Sequence, residues 1–421
     1  MDTSARTSFL AAGLLTGALL LTGCGRDPAG NDEAALQVWP LPAAAGSAQP
    51  DLSVSHDGRL LVSWLRQQAD GRTALQYADF SGDGAWSPAR TIAVGRRFFV
   101  NRVDTPHVRM TPDGAVWAQW LQKVGGEDAG AHGYHVILST SRDGGVNWSA
   151  PARVHADDSQ TEHGFAALWP ASAQQLGIAW LDGGAMQGDA GGRMQLRSTV
   201  IEPGLVASQD ASEQVIDASS CECCPTDVAI SARGPVLVWR GRNDAQVRDI
   251  HVSRFESGNW RTPMPVHADG WRIEGCPVNG PAVDAAGERV LVGWFTAADD
   301  TPAVQLALSN DAGDGFAAPL RLDEGDQVLG RIDVAIDDTH AWALWVRQDD
   351  GMQSLWLARF SADLGNEIER VQVATIAGNG RTSGIPKLAL RDGTAFVVWT
   401  DVDEGGGTQL RGARYRPLPP G

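Results

Sequence analysis

Three arginines of this 421-residue chain lie in short polar segments, each beside a run of apolar residues. They are Arg102 in VNRVDTPH, Arg331 in GRID and Arg381 in GNGRTSGIP. A guanidinium group binds a carboxylate through two parallel, charge-assisted hydrogen bonds. If the fold brings the three segments together, these side chains could bind an anionic or polyhydroxyl ligand.

Four further residues have side chains suited to acid–base or nucleophilic chemistry. Asp104 and Glu162 could form the carboxylate pair of a glycosidase, and His163 could be the base of a lyase or hydrolase. Tyr134 is one of only three tyrosines and is the candidate nucleophile. Further candidate ligand-binding residues in the same kind of segment are His107, Asp182, Arg248, Asp249, Asn279 and Asp333. Alternatively, such Arg and Asp residues form ion pairs and Asx turns between structural units.

Four of the five cysteines lie in two polar segments. Cys221, Cys223 and Cys224 form one group, and Cys276 lies in the other. An even number of cysteines in an exported protein indicates disulfides, so we expect one bond to Cys276 and one local bond. A thiolate metal site, helped by a histidine such as His163, is the alternative. No other cofactor is expected.

Repeated strands must position these residues. An apolar strand ending near Trp recurs about every 55 residues, and a period near 50 is typical of propellers and solenoids. The seven members are Trp64, Trp120, Trp180, Trp239, Trp294, Trp345 and Trp399. Each repeat contains about four short strands, as a propeller blade does. We therefore predict an all-β propeller with seven four-stranded blades, or six with one repeat outside the ring.

The two ends of the chain predict how the ring closes. The last repeat lacks a fourth strand, and ALQVWPL (35–41) is a lone strand before the first repeat. This strand should complete the last blade, which removes the exposed sheet edges that promote aggregation. The segments that precede the innermost strands would then meet at one mouth, the default binding site. They are 47–50, 100–107, 158–165, 220–227, 274–281, 330–333 and 378–386.

Two turns carry a family resemblance. SRDGGVNW (141–148) and SNDAGDGF (309–316) resemble the Asp-box of sialidases, Ser-x-Asp-x-Gly-x-x-Trp. The resemblance implies a sialidase-like propeller, a family that binds a carboxylate with three Arg, attacks with a Tyr activated by a Glu, and uses an Asp as acid/base. Arg102, Arg331 and Arg381 would then mimic the arginine cluster. The segments TEHGF, CECCPT and GCPVNGP also resemble uncharacterised sialidase-like lipoproteins of Gram-negative bacteria.

The N-terminal segment resembles a lipoprotein signal. An apolar stretch ends in Leu21-Thr22-Gly23-Cys24, which is similar to a bacterial lipobox. This implies a signal peptide at 1–23, cleavage before Cys24 and acylation of that residue. Residues 24–34 would be a lipidated tether and 35–421 the propeller. An ordinary secretory signal or an uncleaved anchor is the alternative.

The formal net charge of −17 argues against nucleic acid, because phosphate binding requires a basic face. We expect a monomer anchored by lipid in the cell envelope, on the outer membrane, that binds a glycan or small anionic ligand at the mouth. An exo-sialidase-like glycosidase at the same site is the first alternative. A metal-handling or redox protein acting through the cysteines is the second.

Overall fold

A computed structural model of the chain describes residues 35–125, 133–187, 191–202, 213–377 and 381–417. Apart from two short 3-10 turns, Gly184–Met186 and Ala298–Asp300, its regular elements there are strands. In chain order they are β1 (Ala35–Val38), β2 (Ser47–Val54), β3 (Leu60–Gln67), β4 (Thr73–Phe80), β5 (Arg90–Gly95), β6 (His107–Met110), β7 (Val116–Lys123), β8 (Tyr134–Ser141), β9 (Ala152–Arg153), β10 (His163–Pro170), β11 (Leu176–Asp182), β12 (Gln195–Ile201), β13 (Gln214–Asp217), β14 (Asp227–Ser231), β15 (Gly234–Arg240), β16 (Ile250–Glu256), β17 (Asn259–Trp260), β18 (Met264–Pro265), β19 (Ala282–Ala286), β20 (Arg289–Thr296), β21 (Ala303–Ser309), β22 (Leu320–Glu324), β23 (Val328–Ile336), β24 (His340–Asp349), β25 (Met352–Ser361), β26 (Glu367–Ile376), β27 (Lys387–Arg391), β28 (Thr394–Val402) and β29 (Thr408–Arg416).

In the described part of the chain these strands form seven antiparallel sheets, which are the blades of a propeller. Blades 1 to 6 comprise β2–β5, β6–β9, β10–β13, β14–β18, β19–β22 and β23–β26, and blade 7 comprises β27–β29 with β1. Blade 4 has two short outer strands, β17 and β18, which both pair with β16. The predicted seven-bladed, all-β propeller is confirmed, and the six-bladed alternative is wrong.

The N-terminal strand closes the ring. β1 pairs antiparallel with β29, which places Val38 opposite Ala413 and completes the last blade. The innermost strand of every blade contacts the innermost strand of its neighbours, including β27 of blade 7 and β2 of blade 1. The predicted closure is therefore confirmed, with a strand that covers Ala35–Val38 rather than the whole of 35–41.

The seven repeated tryptophans lie in the core, and none of them is more than 8 % exposed. Several also link blades through polar contacts. The indole N–H of Trp239 donates to Asp217 Oδ2 (2.7 Å), and that of Trp345 donates to Asp323 Oδ2 (2.7 Å). In both pairs the carboxylate belongs to the last strand of the preceding blade. The repeated Trp thus fills the space between sheets and fixes the register of adjacent blades.

The glycine-rich turn at 141–148 is held by side chains at its start. The Asp143 Oδ1 atom accepts the backbone N–H groups of Val146 (3.1 Å) and Asn147 (2.8 Å). Ser141 Oγ accepts the N–H of Gly145 (2.8 Å), a residue with φ +86°. A short polar side chain that bonds the turn backbone, followed by Gly at positive φ, is the turn chemistry predicted from the sequence.

The predicted signal peptide (1–23) and lipidated tether (24–34), with Cys24, lie outside the described residues. Within the described ranges, the structure contains no helix with the length and apolar character needed to cross a membrane.

Candidate functional site at the propeller mouth

The segments that lead into the innermost strands, here called the mouth loops, are joined to one another around the ring. Asp104 Oδ2 of blade 2 accepts the N–H of Phe165 in blade 3 (2.7 Å). Thr226 Oγ1 of blade 4 donates to the Phe165 carbonyl (2.7 Å). Farther round, Asn279 Oδ1 of blade 5 accepts the N–H of Arg331 in blade 6 (2.9 Å). The structure therefore brings these sequence-distant segments together on one face, as the repeat predicted.

Apolar side chains from four mouth loops form the floor of the mouth. They belong to one buried cluster although they come from blades 2, 3, 5 and 7: Val103, Phe165, Val278 and Ile385. Since these blades are not all neighbours, the side chains must meet near the ring axis. Phe165 (φ +51°) and Val278 (φ +54°) have left-handed backbone conformations, which bulky and β-branched residues rarely adopt. Such strain persists only where surrounding packing enforces it.

The three predicted arginines gather around one short segment of blade 7. Arg102 Nη1 donates to the Thr382 carbonyl (3.3 Å), and Arg331 Nη1 donates to Ser383 Oγ (2.7 Å). Burial, and then the neighbouring charge of Arg381, lower the pKa of Arg331 to about 10. Arg102 and Arg381 are exposed, whereas Arg331 is buried beneath them. Three arginines therefore lie close together at this part of the mouth, on a strongly acidic protein.

Arg331 lies inside β23, and not before an innermost strand as predicted. The reason is a bulge, because the pairing of β23 with β24 shifts between Val328 and Asp333. Gly330 (φ +76°) and Arg331 (φ +52°) both adopt left-handed conformations there. The strand thus begins at Val328, two residues before the segment 330–333 that the sequence pattern placed ahead of it. The Arg331 backbone is held by Asn279.

Three of the predicted catalytic residues meet at the junction of blades 2 and 3. Burial raises the pKa of Asp104 to about 7, and the neighbouring Glu162 adds to the rise, although the Phe165 N–H opposes it. Burial likewise raises the pKa of Tyr134 far above its usual range, with Asp104 and Glu162 contributing. Tyr134 is 2 % exposed and its ring stacks on Phe99. This environment opposes the phenolate form that a nucleophile requires, and it favours a protonated Asp104 as an acid.

The structure does not place His163 with this group. Its side chain is fully buried and faces away, with Nε2 3.2 Å from Asp157 Oδ2. Asp182, predicted to bind ligand at the mouth, is also buried there and accepts the indole N–H of Trp180 (2.9 Å). His135 and His155 complete this cluster.

The four predicted cysteines form two disulfides, which confirms the expected pairing. Cys221 pairs with Cys224, and Cys223 pairs with Cys276, so the second bond joins the mouth loops of blades 4 and 5. Their Cα–Cα distances of 5.6 and 6.1 Å suit disulfide geometry. Sulfur atoms in disulfides are not thiolate ligands, so this pairing does not favour a metal site at the cysteines.

Two other predicted ligand-binding residues have structural partners in blade 4. Arg248 donates to Glu222 Oε2 (3.1 Å) and lies 3.2 Å from Cys221 Sγ. The Asp249 carboxylate accepts the N–H groups of Gly270 and Trp271, both at 3.2 Å. These contacts match the alternative interpretation, in which such residues hold loops rather than ligand.

Of the remaining two, Asp333 lines the central channel beneath the mouth and His107 contacts Asp51 of that lining, which corrects their predicted position. The channel contains a cavity of about 390 Å³. His107 Nδ1 lies 3.2 Å from Asp51 Oδ1, and Arg109 pairs with the other oxygen of Asp51. Asp333 accepts the N–H groups of Val334 (3.1 Å) and, across the blade boundary, of Leu388 (2.7 Å). The other charged residues that line the channel were not predicted from the sequence, and they are Asp51, Arg109, Asp227, Asp284, Asp337 and Lys387.

The channel carboxylates predict a pH dependence of stability. Burial raises the pKa of Asp333 to about 7, although Lys387 opposes the rise. The folded protein therefore holds a proton here that the unfolded chain loses near pH 4, so stability should fall as pH rises from 4 to 7. One such group contributes up to about 1.4 kcal/mol per pH unit. Asp333→Asn should reduce this slope by up to that amount without removing it, because burial also raises the pKa of Asp104 and of Asp284 to about 7. The slope is measured as the free energy of urea unfolding between pH 5 and 8.

Asp57→Asn is the control for this measurement. Its hydrogen bond to Arg59 lowers the pKa of Asp57 to about 2, so its contribution to stability is lost only in acid. The control should keep the parent's slope between pH 5 and 8. An unchanged slope in Asp333→Asn would show that Asp333 is already ionised at neutral pH.

No protein-family model matches the chain, and no curated protein matches it. Similar solved structures include the phage phi92 endosialidase, at 9 % identity and a TM-score of 0.49, covering 92 % of this chain and 70 % of that one. The NanB sialidase from Streptococcus pneumoniae has 9 % identity and a TM-score of 0.45, covering 88 % and 68 %. A protein of unknown function from Dyadobacter fermentans has 12 % identity and a TM-score of 0.46, covering 89 % and 95 %.

Proposed function

We propose that the propeller mouth binds a glycan that carries a carboxylate, such as an oligosaccharide with a uronic or sialic acid. The observation that supports this proposal is the gathering of Arg102, Arg331 and Arg381 around residues 382–383. Like charges held together repel one another, and an anion placed between them relieves that repulsion. A planar guanidinium also gives a carboxylate two parallel hydrogen bonds, which selects for its geometry.

The three arginine side chains differ in exposure, and we assign them different roles on that basis. Arg102 and Arg381 are exposed and can reach a ligand directly. Arg331 is 9 % exposed and donates to Ser383, so it supports the segment on which the ligand would rest. The buried apolar cluster beneath, which includes Phe165 and Ile385, supports the mouth loops on which the ligand would rest.

The test begins with a glycan array probed with residues 35–421, followed by calorimetry with the best carboxylated oligosaccharide. Arg102→Ala and Arg381→Ala should each weaken binding by about 1.5–3 kcal/mol, or roughly 10- to 150-fold in Kd. The control is Arg72→Ala, because Arg72 is an exposed arginine that pairs only locally with Asp70. Equal affinity in all three variants would contradict the proposal.

Glycoside hydrolysis is the second candidate function, and the environment of Asp104 favours it. A carboxyl group with a pKa near 7 beside Glu162 is suited to donate a proton at neutral pH. The same oligosaccharide therefore serves as a substrate in an assay for released sugar. Release that Asp104→Asn abolishes, with binding retained, would assign hydrolysis to this site. Binding without release would leave recognition as the function.

We also propose that Cys24 carries a lipid that attaches the propeller to the cell envelope, with the outer membrane as its location. The support is the Leu-Thr-Gly-Cys sequence after an apolar stretch. Fatty-acid labelling that persists in Cys24→Ser would contradict this proposal.

A further inference from the structure

We infer that the junction of blades 2 and 3 is a binding site for a divalent transition-metal ion of the zinc class, with His135, His155, His163 and Asp157 as its ligands. This site is separate from the arginine cluster and does not rest on the proposed function.

The propeller brings the three histidines together from different elements. His135 is the second residue of β8, His155 follows β9, and His163 begins β10 of the next blade. One ring nitrogen from each lies within 4.8 Å of the others. The rings of His155 and His163 are stacked, with centroids 3.9 Å apart and an interplanar angle of 5°. Ligand atoms around a tetrahedral zinc ion are about 3.4 Å apart, so binding requires these side chains to rotate until their nitrogens converge on the ion.

Hydrogen bonds fix which nitrogen of His155 carries a proton. Its Nδ1 lies 2.7 Å from the Asp157 carbonyl, which only accepts hydrogen bonds, so Nδ1 is the donor. The lone pair of Nε2 is then free, and this atom is buried without a hydrogen-bond partner in a residue that is 2 % exposed. A backbone carbonyl that orients one imidazole nitrogen, leaving the other for a metal, is the usual arrangement at zinc sites.

The other two histidines each place a ring nitrogen in the same cluster. His163 Nδ1 lies 3.3 Å from the Tyr134 carbonyl, and its Nε2 lies 3.2 Å from Asp157 Oδ2. His135 Nδ1 is also buried without a hydrogen-bond partner. Leaving two imidazole nitrogens unpartnered in one cluster costs about 1–3 kcal/mol each. Coordination of a cation would remove that cost.

Two carboxylates, those of Asp157 and Asp182, lie beside His163 in this cluster. Asp157 is held by Ser159, whose N–H and Oγ donate to its two oxygens at 2.8 and 2.9 Å. Asp182 is 1 % exposed and lies 3.8 Å from His163 Nε2, so it can balance the charge of an ion from outside the ligand set. Three imidazoles and one carboxylate suit zinc, copper or nickel, whereas magnesium and calcium prefer sites made of oxygen alone.

The test uses the untagged full chain, stripped with EDTA and dialysed against metal-free buffer. Zn²⁺ is titrated by calorimetry, and Co²⁺ is added to a second sample to record its visible spectrum. We expect about one equivalent of Zn²⁺ with a Kd below about 1 µM. We also expect Co²⁺ absorption bands of a tetrahedral site. Zn²⁺ should raise the melting temperature, because it binds only the folded state.

His135→Ala and His155→Ala should each weaken Zn²⁺ binding by more than about 100-fold and abolish the rise in melting temperature. His251→Ala is the matched control, since His251 Nδ1 also lies against a backbone carbonyl (Asp249, 3.2 Å) but belongs to blade 4. If His155→Ala does not fold, the partly exposed His135 and the Co²⁺ spectrum of the parent decide the question. A parent that binds no Zn²⁺, or variants that keep the parent affinity, would overturn the inference and leave the histidine cluster with a structural role between blades 2 and 3.

Discussion

Trp39→Ala should lower the free energy of unfolding by about 3–5 kcal/mol, the usual cost of truncating a buried Trp. Trp39 follows β1 and is 2 % exposed. Its ring stacks on Trp86 (centroids 4.9 Å apart, 27°) and packs edge-on against Phe396 of blade 7 (4.9 Å) and Phe80 of blade 1 (5.3 Å). One side chain thus fixes the N-terminal strand to both blades at the point where the ring closes. Urea unfolding followed by tryptophan fluorescence measures the change.

Val38→Ala is the control for this prediction. Val38 is adjacent in sequence and lies in the same strand, but it is 80 % exposed. Its truncation should change stability by no more than about 0.5 kcal/mol. A Trp39→Ala variant as stable as this control would show that the packing of Trp39 does not hold the N-terminal strand to the ring.

Replacing both Cys223 and Cys276 by Ala should destabilise the protein by about 4 kcal/mol, according to the chain-entropy account of disulfides. The bond spans 53 residues and joins the mouth loops of blades 4 and 5, so its loss frees a long stretch of the unfolded chain. Replacing both Cys221 and Cys224, which are only 3 residues apart, should cost about 2 kcal/mol. Thermal and urea unfolding of the two double variants provide the comparison.

The difference between the two double variants is the critical quantity. The difference in their loss of unfolding free energy depends on loop length, because the chemical substitution, two Cys by two Ala, is the same in both variants. If the short-loop variant proves the less stable, the bond between blades is not the one that constrains the unfolded chain. The buried Cys221 and Cys224 would then matter through packing.

The propeller could be predicted from the sequence because the pattern that produces it, an apolar strand with Trp, is local and repeated. Each Trp strand, such as the one ending at Trp239, is an apolar run bounded by turn residues, and seven such runs at one period leave few architectures. The disulfides followed from the same ring, because it placed Cys223 and Cys276 on neighbouring loops. Closure by β1 followed from the strand missing in the last repeat.

The positions of single side chains could not be predicted in the same way. Phe165, Val278 and Arg331 adopt left-handed conformations that their residue types disfavour, so their segments could be placed at the mouth but the directions of their side chains could not. Asp333 was assigned to the mouth because the bulge in β23 cannot be read from a pattern of alternation. The charged residues that line the channel come from several innermost strands, so their proximity could not be predicted from any one repeat.

The histidine cluster was missed for a related reason. His135 and His155 occur within stretches that the pattern marks simply as the third and fourth strands of one repeat. Their spacing matches no familiar metal motif, and their partner His163 lies in the next blade. The one available signal was the density of His and Asp in VHADDSQTEHG, between two blades.

A crystal structure of the protein bound to its best carboxylated oligosaccharide tests the central claim most directly. We predict the ligand carboxylate at the mouth, within hydrogen-bonding distance of Arg102 and Arg381. A ligand bound in the central channel beside Asp51 and Lys387, or at the outer edge of the blades with the arginines untouched, would contradict it.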